Sequence, residues 1–178
     1  MRDAVAATAA LLLLAACGQS APDAPGVPAD PGNPLERAAR ARGIVRAEAS
    51  VPTGVFERSH DLGRDAMCVV PDGADRWRFA LTAAFGPGLV CAARGTITRD
   101  GDGWRMRFTG AEGCEADVRE EEDELRLPGV LPPQCVRLCP SRASLAGLRL
   151  PRASWSEGDA RRLPLRDRNG AVVRPCGA

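Results

Sequence analysis

From Trp77 onward the chain alternates apolar and polar or small residues with a period of two. Trp77, Phe79, Leu81, Ala83 and Phe85 alternate with Arg78, Ala80, Thr82 and Ala84, and Cys91, Ala93, Gly95 and Ile97 alternate with Ala92, Arg94, Thr96 and Thr98. The same holds for Trp104, Met106 and Phe108 against Arg105, Arg107 and Thr109, and for Cys114, Ala116 and Val118 against Glu115, Asp117 and Arg119. Successive side chains of an extended strand point to opposite faces, so each run predicts a strand with one buried face. Turn residues separate the runs: Pro71-Asp72-Gly73, Gly86-Pro87-Gly88, Asp100-Gly101-Asp102-Gly103 and Glu121-Glu122-Asp123. Short connections between half-buried strands make antiparallel neighbours. Residues 55–58, 67–70 and 124–127 extend the pattern at both ends. The expected fold is mainly β, an antiparallel meander able to close into a small barrel.

Cysteines constrain it further. Apart from Cys17 there are six: Cys68, Cys91, Cys114, Cys135, Cys139 and Cys176. An even six in a domain of this size predicts three disulfides in an oxidising compartment. Cys91 and Cys114 fall on the apolar phase of their strands and should point into the core beside Trp77, Trp104 and Phe108. Residues 132–140 can form a helical turn or two that places Cys135 and Cys139 on one face, from which they would reach different strands. Cys176 would staple the last hairpin, signalled by Asn169-Gly170, to the body. Fifteen pairings are open to six cysteines. Zinc is not expected, because His60 is the only histidine and no Cys-x-x-Cys pair occurs.

The N-terminal part has a different character. Arg2 precedes thirteen small or apolar residues, Ala4 to Ala16, a length that suits a signal segment and is too short for a hydrocarbon core of roughly 30 Å. Leu14-Ala15-Ala16-Cys17 closes the run and resembles the lipobox of bacterial lipoproteins. That resemblance implies cleavage after residue 16 and acylation of Cys17, with palmitate-type chains as a stable membrane anchor. Gly18, in place of the aspartate associated with inner-membrane retention, implies the outer membrane, facing the periplasm. Residues 17–33 then form the lipidated cysteine and a Pro-rich tether without enough apolar surface to fold. Residues 34–178 form a single disulfide-bonded β domain. It opens with a short helix, with Asn33 as N-cap, Pro34 at the first helical position, Glu36 closing a capping box and Gly43 ending it.

Composition excludes several functions. All 24 basic residues are arginine against 23 acids, a net charge of +1, so there is no basic footprint for nucleic acid. Without lysine there is no Schiff base, Ser-x-x-Lys pair or P-loop. His60-Asp61 sits in a polar turn, residues 59–64, with no Gly-x-Ser-x-Gly elbow nearby, and reads as surface. Asp100-Gly-Asp-Gly103 lacks the remaining ligands of a calcium loop and reads as a hairpin turn. Glu120 to Glu124 reads as a solvated turn guarding a sheet edge. Outward Arg105 and Arg107 should meet Glu115 and Asp117 across a strand pair.

No catalytic residue, metal or cofactor is expected, and the chain does not read as an enzyme. The expected role is an outer-membrane-anchored periplasmic lipoprotein that binds a protein or another envelope component. Trp155 and the 128–133 loop are its candidate contact points. The alternative is a structural or assembly accessory of the envelope. In outline the layout resembles the periplasmic lysozyme-inhibitor lipoproteins, which are lipobox-anchored, disulfide-bonded antiparallel barrels. That resemblance makes inhibition a second alternative. Their Ser-Gly-x-x-Tyr stretch has no counterpart, since Ser141-Arg142-Ala143-Ser144 lacks the glycine and the chain has no tyrosine.

Overall fold

Eight strands follow one another around a closed ring in a computed structural model that describes residues 34–42, 51–101, 103–140 and 142–177. The expected signal segment 1–16, Cys17, the expected tether through Asn33, Gly43, Asp102 and Ser141 lie outside the described residues. The strands are β1 (Gly54–His60), β2 (Gly63–Pro71), β3 (Arg76–Ala84), β4 (Val90–Asp100), β5 (Gly103–Phe108), β6 (Glu115–Glu121), β7 (Glu124–Arg126) and β8 (Arg149–Ser154). Each is antiparallel to the next, and β8 returns to β1. The meander therefore closes into an up-and-down barrel.

The closing seam is irregular. Val55 pairs with Ser154 and Phe56 with Arg152, a register shift that leaves Ala153 as a bulge. Gly54 lies at this seam with φ 136°, and a Cβ there would stand 2.1 Å from the Ser154 carbonyl oxygen. Only glycine lets β8 come this close.

The period-two reading is borne out in β4 to β6 and in the inward phase of β3, whose other face is also buried at Ala80 and Thr82. Trp77, Phe79, Leu81, Ile97, Trp104, Met106, Phe108, Ala116 and Val118 are buried in one interior cluster with Phe56, Met67, Val69, Leu125 and Leu150. Phe79 and Phe108 meet edge to face, their centroids 5.4 Å apart. The outer face of β5 and β6 is polar: Arg105 pairs with Asp117 and Arg107 with Glu115, as expected. Its hydrogen bond to Asp117 and the charges of Asp100 and Asp117 raise the Arg105 pKa above the usual guanidinium value. An apolar interior under a charged exterior is the reverse of a lipid-facing barrel. No helix among the described residues is long and apolar enough to cross a membrane.

In the connection from β7 to β8, a 3-10 segment, Pro133–Leu138, packs Leu138 on the core, and the loop that follows adds Leu145. Cys135 bonds Cys114 and Cys139 bonds Cys91, so the two cysteines, four residues apart, do reach different parts of the barrel. The third bridge, Cys68–Cys176, spans both others, and the three pairings are nested.

One face reading needs correction. β2 is buried on both faces from Asp65 to Val70, because a second cluster forms outside the ring. Val55, Ala66, Cys68, Val70 and Ala80 pack there against Ala160, Leu163, Leu165 and Cys176. Their cover comes from α2 (Glu157–Arg162), which the sequence reading did not assign, and from the hairpin β9 (Leu165–Arg166) and β10 (Val172–Val173). The Ser156 hydroxyl caps α2 by accepting from the Asp159 N–H at 3.2 Å, and acids occupy its first turn and arginines its last. Asn169-Gly170 does not form a two-residue turn. Asp167 and Ala171 bracket a three-residue loop with Gly170 at φ 80°, and Asp167 Oδ1 accepts the N–H groups of Asn169 and Ala171. The early helix is present as α1, Pro34–Ala41.

Candidate functional site

Trp155 is not a detached anchor. It follows β8, half buried, with its ring 3.7 Å from the Arg152 guanidinium carbon. Arg152 shares the inward phase of Leu150 and is stacked on its other side by Phe56, 4.1 Å away. Its Nε and Nη2 each donate at 2.5 Å to a separate oxygen of Glu120, and Nη1 donates to the Thr53 carbonyl at 2.7 Å. Both charged side chains are buried, Arg152 to 1% exposure and Glu120 to 6%. The expectation that Glu120 belongs to a solvated acidic turn is therefore corrected, because it continues the inward phase of Ala116 and Val118. The rest of the run does form the turn: Glu122 and Asp123 occupy two left-handed positions between β6 and β7.

His60 also moves from its expected place. It is the last residue of β1, paired with Gly63, not part of a turn. Its Nδ1 accepts the Leu62 N–H at 3.3 Å, and Nε2 lies 3.1 Å from Asp65 Oδ1 without hydrogen-bond geometry. Asp65, 2% exposed, also receives the Ala84 N–H at 2.9 Å and Arg58 Nη2 at 2.7 Å. A carboxylate so bound ties β2 to the end of β3 and to Arg58 of β1. Asp100 pairs with Arg105, as suits a hairpin turn. No group of three potential metal ligands occurs among the described residues.

The 128–133 loop is exposed at Val130, 85%, while Leu131 packs on the core. Pro133 is exposed as well.

The concave surface lies elsewhere, on both flanks of the C-terminal hairpin. One groove, about 620 Å³, runs between the hairpin and the β1–β2 and β3–β4 turns, lined by Leu62, Ala84, Pro87, Val90, Pro164 and Val172. Leu62 and Val172 are more than half exposed on its rim. The other, about 430 Å³, lies between the hairpin and the outer faces of β3 and β4, with Ala80, Ala92, Val173 and Pro175 in its lining and Arg94, Arg166 and Arg168 beside them. Both volumes are in the range of ligand sites. The hairpin that separates them is held by the Cys68–Cys176 bridge and by Leu165 in the outer cluster.

No protein-family model, curated protein or solved structure matches this chain.

Neither groove was foreseen as a site. The sequence signal was present in part: Ala66-Met67-Cys68-Val69-Val70 is apolar in both phases, which only a strand covered on both faces requires. Nothing in the sequence said what covers it.

Proposed function

We propose that this protein is a lipid-anchored binding module of the bacterial envelope, held through Cys17 at the outer membrane and facing the periplasm, and that it engages its envelope partner along the grooves beside the C-terminal hairpin. The observation that carries this reading is the placement of open surface. The barrel interior is filled with Phe56, Met67, Leu81, Ile97, Met106 and Leu150 and leaves that space to side chains, whereas the apolar concave surface lies outside, around a hairpin fixed by a disulfide. Convex, charged strand faces such as Arg105–Asp117 offer a partner little to bury. Leu62 and Val172 offer an apolar rim.

The test is affinity capture with the full chain as bait in a detergent extract of the native envelope. One stoichiometric partner retained by the wild type and lost with Val172→Asp supports the reading. Equal capture by both forms places binding elsewhere, and no partner at all favours a passive accessory of the envelope.

A further inference from the structure

The smaller groove has a charge that its surroundings do not balance. Several arginines elsewhere on the domain are matched to acids, among them Arg58 to Asp65, Arg107 to Glu115, Arg126 to Glu121 and Glu124, and Arg161 to Glu157; what sets the groove apart is that three unmatched arginines line one concave surface. Arg94, Arg166 and Arg168 form no ion pair with the described residues. Arg166 donates only to the Gly170 carbonyl at 2.9 Å and Arg168 only to the Arg137 carbonyl at 3.1 Å. Each carbonyl positions a guanidinium without neutralising it, and most of its five N–H donors stay available. Asp167, the one acid in the lining, turns an oxygen into its own loop, where it accepts two backbone N–H groups. Three positive charges against one negative leave an excess of two beside an apolar floor of Ala80, Ala92, Val173 and Pro175.

We propose that this groove binds a phosphate group carried on an apolar body. The inference rests on the binding-module reading and names the ligand class of one of its two grooves. A phosphomonoester carries close to two negative charges at neutral pH and three oxygens, which match the excess charge and the planar donor forks of arginine. A carboxylate carries half that charge. The floor accounts for the apolar part, since alanine, valine and proline lining gives an anion alone nothing to contact.

The experiment is an NMR titration of the full chain, disulfides formed, in an uncharged detergent. The probes are hexyl phosphate, hexanoate and inorganic phosphate, and the readout is the amide shifts of Arg94, Thr109, Gly110 and Asn169. Saturable shifts with hexyl phosphate are expected, with affinity at least about tenfold above hexanoate and above inorganic phosphate. Arg94→Gln and Arg168→Gln should each weaken it about tenfold, and Arg119→Gln, a barrel arginine outside the groove, should not. Hexanoate binding as well as hexyl phosphate overturns the phosphate assignment. Inorganic phosphate binding equally well overturns the apolar body and makes a free phosphate the ligand. Equal loss in Arg119→Gln shows general charge attraction and overturns the site. If an envelope partner is captured while no probe shifts these amides, the ligand class falls and the binding-module reading stands.

Discussion

Arg152 and Glu120, on strands separated by β7, meet inside one end of the barrel as a two-pronged ion pair, with the guanidinium clamped between the rings of Phe56 and Trp155. Taking both charges out of water is costly, and their mutual attraction with the Thr53 carbonyl bond offsets that cost. Removing one partner leaves the other buried and unpaired. Glu120→Gln and Arg152→Met should each destabilise the domain by about 3–5 kcal/mol, read from urea midpoints. The double substitution Arg152→Met with Glu120→Leu should recover most of the loss, since an apolar plug of similar volume carries no desolvation cost. A double variant no better than the singles would show that the pair does more than fill the end.

The Cys68–Cys176 bridge fastens the tail across the ring. Replacing both cysteines with serine should lower stability by about 2–4 kcal/mol while the barrel's near-UV circular dichroism persists. Trypsin should then cut rapidly after Arg166 or Arg168, which the bridge holds against the sheet. Unchanged cleavage would mean that Leu163 and Leu165 alone suffice to hold the tail.

Full reduction is a stronger perturbation. The two bridges from Cys135 and Cys139 fix the long β7–β8 connection over the core, and the outer bridge encloses them. With all three open, the near-UV signature should vanish and the thermal transition fall markedly. A reduced protein that kept both would show that the packed interior is sufficient alone.

Gly54→Val tests the seam. The residue would carry a branched side chain at φ 136° and meet the Ser154 carbonyl. Backbone strain alone costs roughly 1–3 kcal/mol, and loss of β1–β8 pairing adds to it. Hydrogen exchange should accelerate first at Val55 and Phe56, ahead of β3 and β4.

The strand core was legible because the period-two pattern of residues 77–118 reports a real inside and outside. Glu120 was misread although its phase was visible: it follows Ala116 and Val118 at steps of two, and its place in a run of five acids suggested solvent instead. Arg152 follows Leu150 in the same way. Each looks anomalous alone, and only the pairing of β7 with β8 across the long connection between them, which no local pattern encodes, brings them together. The groove arginines were hidden for a related reason. Arg94 and Arg168 are far apart in sequence, and the outer cluster that brings the hairpin to β3 depends on choosing Cys68–Cys176 among fifteen pairings.

A ring has no first or last strand. Each of β1 to β8 is hydrogen-bonded to two neighbours, so the ring presents no whole edge strand for an extended segment of another chain to lengthen. Stretches that outrun a neighbour, such as Glu57–His60 of β1 beyond β8 and residues 90–93 of β4 beyond β5, pair on one side only, and the short hairpin keeps a rim of two residues to a side. A partner that docks on this body would meet side chains, and neighbouring copies would find no whole edge strand through which to join their sheets.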